Sequence, residues 1–374
     1  MNRLDRYIFL QLLAPFGFFT LALAGILWLG QTLPLVELII DNGRSGFIFL
    51  EFSVLILPNV LLLVLPVSAF IASLYAVNKL FGESEMVVIM SAGLSPMRIA
   101  RPVFFYGMFV ATAMYILVLA LAPTANTRLA DKIDAIRKDA VNSLLREKRF
   151  IHPEKGLTIF IRDSSKAGEI QGLFLNDQRD PAFPVTYSAQ EALLLKDEDE
   201  LRLVMSKGVM QRYSPADNTL NLVEFENFVF DLTSLLKRTS NRFREPIEFG
   251  LRELLDPQAL IASGVKHPIG VLVAELHNRL AQPLLGLALP LLAAALLLTA
   301  KYRRSGFAVR IAGTSFLGLF VVTASLMVKS IITTVPALFW VAYIPAAGSL
   351  LYAATLLILA TSRGRPEQGT ERLA

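Results

Sequence analysis

The chain contains no cysteine and only three histidines. Without thiols there is no disulfide framework, no thiolate nucleophile and no sulfur-ligated zinc, so any exported part must be held by its core alone, and the redox compartment is left open. His152, His267 and His277 are scattered and match no usual zinc spacing; His277, between Glu275 and Arg279, reads as an interfacial polar residue rather than a ligand. A GxxxxGK(S/T) phosphate loop, an HExxH zinc helix and a GxSxG nucleophile elbow are all missing. Charge is scarce at 18%, and no aspartate or glutamate falls in the middle of any predicted membrane run, where ion-coupled carriers need a titratable carboxylate. The chain therefore reads as no enzyme, with no catalytic residue, metal or cofactor of its own. Energy for any transport must come from elsewhere.

What the sequence has in excess is apolar residues: 54% of 374, with a mean hydropathy of +0.53. This is the composition of an integral membrane protein. The net charge of +5 would suggest nucleic acid in a soluble protein, but here the cations gather beside apolar runs, as the positive-inside rule expects. They set membrane orientation and imply no nucleic-acid partner. MNRLDRY is followed by an apolar run longer than a signal-peptide core and without a small-residue cleavage site, so it is expected to remain as the first span.

The runs divide the chain. The first extends from Ile8 to Ile40, crossed by Gln11, Pro15, Gln31 and Pro34, and its start is compatible with an interfacial position. Asp41 to Arg44 break it, and a second run from Phe52 to Leu80 contains Pro58 and Pro66. Val103 to Ala122 forms a third, ended by Pro123; Leu280 to Ala300, Ile311 to Val335 and Leu338 to Ala360 form three more, with Pro336 marking a tight turn. Six spans thus flank an insert, and the domains are read as 1–123, 124–265, 266–361 and a polar tail, 362–374. In the insert, Arg128 to Arg149 is charged and helix-compatible. From Gly156 onward, short alternating stretches bounded by turn residues predict five to eight strands, as in a sandwich or jelly roll. Phe174, Leu203, Met205, Val223, Phe225, Phe228 and Phe230 supply its interior, which is either a plain hydrophobic core or one that also receives an acyl chain.

Arg3 and Arg6, then Lys79, Arg98 and Arg101, then Lys301, Arg303, Arg304 and Arg310, and finally Arg363 and Arg365 fall on one side of a six-span arrangement. That side is the cytoplasm, so both termini are expected inside and the β-rich insert outside. Lys329 is the one charge well inside a predicted span; it either binds an anionic headgroup or snorkels to the interface.

Between the second and third runs lies KLFGESEMVVIMSAGLSPMRIAR, Lys79 to Arg101. Glu83 and Glu85 precede the apolar block Met86 to Met90, and Gly93 closes it, as in a short helix with acidic residues at its positive end. Such a helix on the cytoplasmic side is a handle for a soluble partner; a solvated connecting loop is the alternative.

This arrangement, with GESEMVVIMSAGLS after the second span and ELHNRLAQP before the fourth, resembles the lipopolysaccharide-export permeases of the LptF/LptG family, nearer the LptF branch. The resemblance covers nearly the whole chain in topology and implies a mixed membrane fold: six transmembrane α-helices with a β-jellyroll-like periplasmic domain between helices 3 and 4. It implies a bacterial inner-membrane permease subunit of an ABC transporter that extracts lipopolysaccharide. The implied partners are a paralogous permease in a heterodimer, a cytoplasmic ATPase dimer that uses the ATP, and a periplasmic bridge or membrane-anchored jellyroll protein. By this resemblance Glu83 to Ser91 is the coupling helix, with Glu83, Ser84, Glu85, Met86, Met90 and Gly93 as its ATPase-coupling residues and Glu85 foremost. Lys329, Arg279, Leu203 and Phe225 are the expected lipid-binding residues. One departure is Glu37, near the outer end of the first span, where family members often carry basic residues. A non-transporting envelope scaffold and an ion-coupled lipid carrier are the other classes; an ATPase that copurifies speaks against the first, and transport that outlives loss of the ATPase speaks for the second.

Overall fold

The computed structural model describes residues 3–41, 46–142, 148, 150–154, 156–164, 169–179, 184–196, 201–214, 219–232, 243–299 and 307–363. Lys301, Arg303, Arg304 and Arg365, named above for their charge, lie outside the described residues, as does the side chain of Glu37.

Two compact units emerge, one from residues 1–129 with 244–374 and one from 130–243. The second is narrower than the stretch 124–265 set apart by composition. The difference on its C-terminal side is 244–265, where Phe249 and Leu254 are buried together with Leu272 and Leu276 of the helical unit.

The helical unit opens with α1 (Arg3–Asp41) and α2 (Gly46–Gly82), and Pro58 and Pro66 lie inside α2 without ending it. The short α3 (Glu85–Ser91) and α4 (Pro96–Ile116) follow. Pro123 was expected to end the third span, but the chain passes through a π-turn, Leu117–Leu121, straight into α5 (Ala122–Asn142). A proline ring clashes with the carbonyl four residues before it, here that of Leu119, and the wider i→i+5 winding of the π-turn moves that carbonyl aside.

Beyond the insert, a 3-10 turn (Pro246–Glu248), α6 (Leu251–Leu254) and α7 (Pro257–Ala262) lead to α8 (Ile269–Ala281) and α9 (Leu284–Leu298). Where a fourth span is expected from Leu280 onward, these two helices form a pair bent by 47° at Gln282 and Pro283. Proline has no N–H to continue the ladder, and the Gln282 amide turns outward to donate to the Leu62 carbonyl at 3.2 Å. Then come α10 (Phe307–Thr334), a 3-10 stretch (Pro336–Tyr343) that begins on the expected turn proline, and α11 (Ile344–Arg363). The described residues thus hold five helices long and apolar enough to cross a membrane, and a sixth if the bent pair counts as one span.

α9 is the centre of this bundle. It is apolar all round and most of its residues are buried, which places it inside rather than at the lipid face. Lipid is itself apolar, so close packing rather than escape from water must hold such a helix. Two glycines permit that closeness. A Cβ on Gly107 of α4 would meet the Leu287 backbone at 3.0 Å, and one on Gly286 of α9 would meet Met114 Sδ at 3.0 Å.

The second unit contains β1 (Phe150–Glu154), β2 (Leu157–Ser164), β3 (Glu169–Asp177), β4 (Val185–Lys196), β5 (Leu201–Ser214) and β6 (Thr219–Asp231), paired antiparallel in sequence order. Leu203 pairs with Leu194 on one side and Phe230 on the other. Tyr187 lies seven residues from Leu194 on β4, about 23 Å along a strand. Even so, the Tyr187 and Phe230 ring centroids are 5.4 Å apart. No flat sheet allows that contact. The sheet coils onto itself, and one face becomes a closed core of Leu157, Ile159, Leu173, Leu175, Leu203 and Met205.

Candidate functional site

Two clusters in the helical unit carry the chemistry, and the first is α3. α2 closes through Glu83 N–H to the Lys79 carbonyl (2.9 Å), and Ser84 then takes a left-handed conformation (φ 62°) that turns the chain into α3. Gly93 (φ +86°) closes the other end. The helix is therefore shorter than 83–91: Glu83 and Ser84 belong to the turn before it, where Glu83 faces Lys79 at 3.9 Å. Within α3 the apolar block divides. Met86, expected among the coupling residues, is 1% exposed and sits in the core of this chain. Ile89 and Met90 pack partly against the same core. Val87 and Val88, at 41% and 64% exposure, form the outward face.

Glu85 is half-buried, and its Oε2 accepts a hydrogen bond from the Tyr7 hydroxyl at 2.7 Å. After Gly93, Ser95 caps α4 by accepting from the Arg98 N–H, and Arg98 Nη2 donates to Asp5 Oδ2 at 3.3 Å. Thus α1 holds the segment on both sides of α3, through Tyr7 and Asp5. Sequence reasoning missed both partners. A signal existed: Asp5 and Tyr7 stand in the polar margin of the first span, on the same side as the Lys79 to Arg101 segment by charge count.

The second cluster is centred on Glu275, which α8 places on one face with Arg279 one turn later. Arg279 Nε donates to Glu275 Oε1 at 2.8 Å and Lys329 Nζ donates to Oε2 at 2.7 Å. Arg279 also donates to three main-chain carbonyls: Nη1 to Phe249 at 2.6 Å, and Nη2 to Ile247 at 2.9 Å and Pro246 at 3.2 Å. Its side chain is 3% exposed. Its donors are thus engaged inside the protein, by Glu275 and by the carbonyls of Pro246, Ile247 and Phe249. Lys329 differs: its side chain remains 40% exposed. Glu275 is its counter-ion. Glu275 itself lies in the first helix of the bent pair, clamped between two cations.

A polar cavity of about 190 Å³ adjoins this cluster, lined by Glu275, Arg279, Lys329, Asn278, Asn59 and Asn126 among others. Asn59 Nδ2 donates to Asn126 Oδ1 at 2.5 Å across its wall. Lys329 also lines a neighbouring cavity of about 200 Å³ with Pro66, Gln282 and Ser325. His277 stacks on Phe339 (4.6 Å between centroids), and its Nδ1 is 3.1 Å from the Tyr343 hydroxyl, which gives it a structural setting. Among the described residues no cluster of histidine and carboxylates could hold a metal.

The two site residues expected in the insert fall in the β unit. Leu203 is buried, and Phe225 is half-buried against Phe228 at 5.4 Å, with its ring lying where a Cβ on Gly208 would be.

Comparison with known sequences places these features in a family. The family model described as lipopolysaccharide export system permease LptF/LptG matches residues 6–359. An uncharacterized protein of Rickettsia prowazekii (strain Madrid E) is 26% identical over 291 residues, 76% of this chain and 79% of the relative.

Proposed function

Because the chain belongs to the lipopolysaccharide export system permease LptF/LptG family, we propose that it is a subunit of an ABC transporter whose separate cytoplasmic ATPase docks on α3. The family is a lipopolysaccharide export permease, a transporter component rather than an enzyme, and the apolar helices agree with a multi-pass inner-membrane protein. The observation that supports the coupling role is the division of α3: Met86 anchors it to the bundle, while Val87 and Val88 face outward beside the half-buried carboxylate of Glu85. An element with one face in the core and an apolar face in solvent is shaped to pass a push from a partner to the helices behind it. A paralogous permease would cover the exposed apolar faces of α1 and α10, where Leu21 and Phe316 point outward. Positive-inside counting supports cytoplasmic termini and a periplasmic β unit. Lys329, at the rim of the polar cavity, is the cation best exposed to meet a lipid phosphate.

Copurification of a cytoplasmic ATPase with the tagged permease tests the docking role. Val88→Asp puts a charge on the outward face, and Glu85→Lys adds like-charge repulsion against a basic partner residue; both should abolish copurification while the permease still inserts. Truncating a buried, hydrogen-bonded charge partner at an interface costs about 2–5 kcal/mol, against roughly 0.2–1 kcal/mol for an exposed pair. Tyr7→Phe removes two internal hydrogen bonds, the one donated to Glu85 and the one accepted from Gln11, and leaves the outward face of α3 unchanged. If Tyr7→Phe reproduces the loss seen with Glu85→Lys, or if Val88→Asp still brings down the ATPase, α3 is not the docking helix.

A further inference from the structure

On another face of the helical unit, α4, α9 and α11 enclose a groove of about 770 Å³ that none of the readings above uses. Phe104, Leu291, Leu351 and Leu357 form its walls, and Arg98 and Arg101 stand at one end beside Ser95 and Thr361. Polarity therefore runs along the groove: cationic and hydroxyl-bearing at one end, hydrocarbon along the rest. The α11 wall from Leu350 to Thr361 is about 16 Å long at 1.5 Å per residue, the depth of one leaflet of a 30 Å hydrocarbon core.

The charge at the polar end is incompletely matched. Asp5 reaches Arg98 Nη2, but Arg98 Nη1 is buried with no hydrogen-bond partner among the described residues. Arg101 is exposed, makes no ion pair among the described residues, and leans over the Phe105 ring at 5.7 Å. A buried guanidinium N–H without an acceptor is costly, and a small rotation of the Arg98 fork toward the groove would satisfy it on a phosphate oxygen.

We infer that this groove holds an anionic glycerophospholipid of the leaflet on the Arg98 side, with its phosphate between Arg98 and Arg101 and an acyl chain along Phe104, Leu351 and Leu357. Basic pockets between transmembrane helices recognise anionic headgroups in this way. The site is separate from the Lys329 cavity, where transported lipid is proposed to bind, and its occupant is a resident lipid rather than cargo. Only the assignment of this end to the cytoplasmic leaflet rests on the proposed orientation; ATPase docking plays no part.

The test is native mass spectrometry of the permease complex, purified in mild detergent with whatever subunits accompany it and then mixed with cardiolipin or with phosphatidylethanolamine. Wild-type protein should keep cardiolipin at collision energies that strip phosphatidylethanolamine. Arg98→Gln/Arg101→Gln should retain roughly thirtyfold less, from the loss of two cations at the surface. Ala354→Phe, which fills the groove and leaves the charges in place, should also lose the adduct. Arg101→Gln alone changes an exposed residue and keeps the test decisive if the other variants fail to insert; it should show a partial loss. Retention equal to wild type in all variants, or equal retention of both lipids, overturns the inference. So does an adduct with the mass of lipopolysaccharide, or a photo-crosslinker at Leu351, 67% exposed, that traps a protein chain. An ATPase still held by Val88→Asp, with the lipid adduct unchanged, would count against the docking reading alone.

Discussion

Arg279 and Lys329 both pair with Glu275, yet replacing each by methionine should have very different consequences. Methionine keeps much of the side-chain volume and removes the charge and the donors. At Arg279 the change strips one cation from a buried carboxylate and leaves three main-chain carbonyls, of Pro246, Ile247 and Phe249, without their donor. Breaking a buried ion pair by removing one partner costs about 3–5 kcal/mol, and the carbonyls keep the figure at the upper end. At Lys329 the side chain is 40% exposed and makes one hydrogen bond, while Glu275 keeps Arg279, so the loss should be on the order of 1 kcal/mol. With about 2–4 °C per kcal/mol for a large domain, Arg279→Met should lower the unfolding midpoint by on the order of 10 °C and Lys329→Met by a few degrees. The assay is the fraction of detergent-purified protein still monodisperse by size exclusion after heating through a temperature series. Arg279→Lys should not rescue, because a point charge cannot span the carboxylate and three carbonyls at once. Equal midpoints for the two methionine variants, or an Arg279→Met midpoint within a few degrees of wild type, would refute the reasoning.

Three further outcomes are expected. Gly286→Leu should prevent α9 from seating against α4, since even a Cβ there meets Met114 at 3.0 Å; reduced membrane insertion and proteolysis of the product would show it, and normal yield would count against the packing. A reporter fused after Arg363 should read as cytoplasmic and one placed within Lys196 to Glu200 as periplasmic, and a cytoplasmic signal from the second would remove the six-span arrangement. A photo-crosslinking residue at Phe225 or Leu203 should trap lipopolysaccharide in an ATP-dependent way, and one at Arg202 should not, if the β core admits acyl chains; equal trapping at all three would mean surface contact only.

The element types were legible because their periods are strong. Long apolar runs, alternating strands and turn residues located the spans and the sheet, and the family match agrees with the resemblance carried by GESEMVVIMSAGLS and ELHNRLAQP. Boundaries failed where a local device overrode a residue's habit: a π-turn accommodates Pro123, and a bend at Pro283 divides the helix pair Ile269–Leu298 just after the expected start at Leu280. Pairings across the chain were not legible. Glu275 and Lys329 are 54 positions apart and Tyr7 and Glu85 are 78 apart, and nothing in hydropathy says which polar residue meets which. The same limit explains Met86 and Val88. Both are apolar neighbours in one short block, and only the orientation set at Ser84 decides that one faces the core and the other faces out.

The ties from α1 to the segment around α3 have a mechanical consequence. α3 follows α2 through a two-residue turn, so a load on it reaches α2 along the chain. The Tyr7 to Glu85 and Asp5 to Arg98 bonds add a second route, which delivers the same load to α1 at its opposite sequence end. Covalent linkage transmits displacement of any size, whereas an O–H···O bond made at 2.7 Å is lost within roughly an ångström of stretch. A load placed on α3 would thus have two routes into the bundle, along the chain to α2 and through side-chain bonds to α1, which also packs against α2 in the common core.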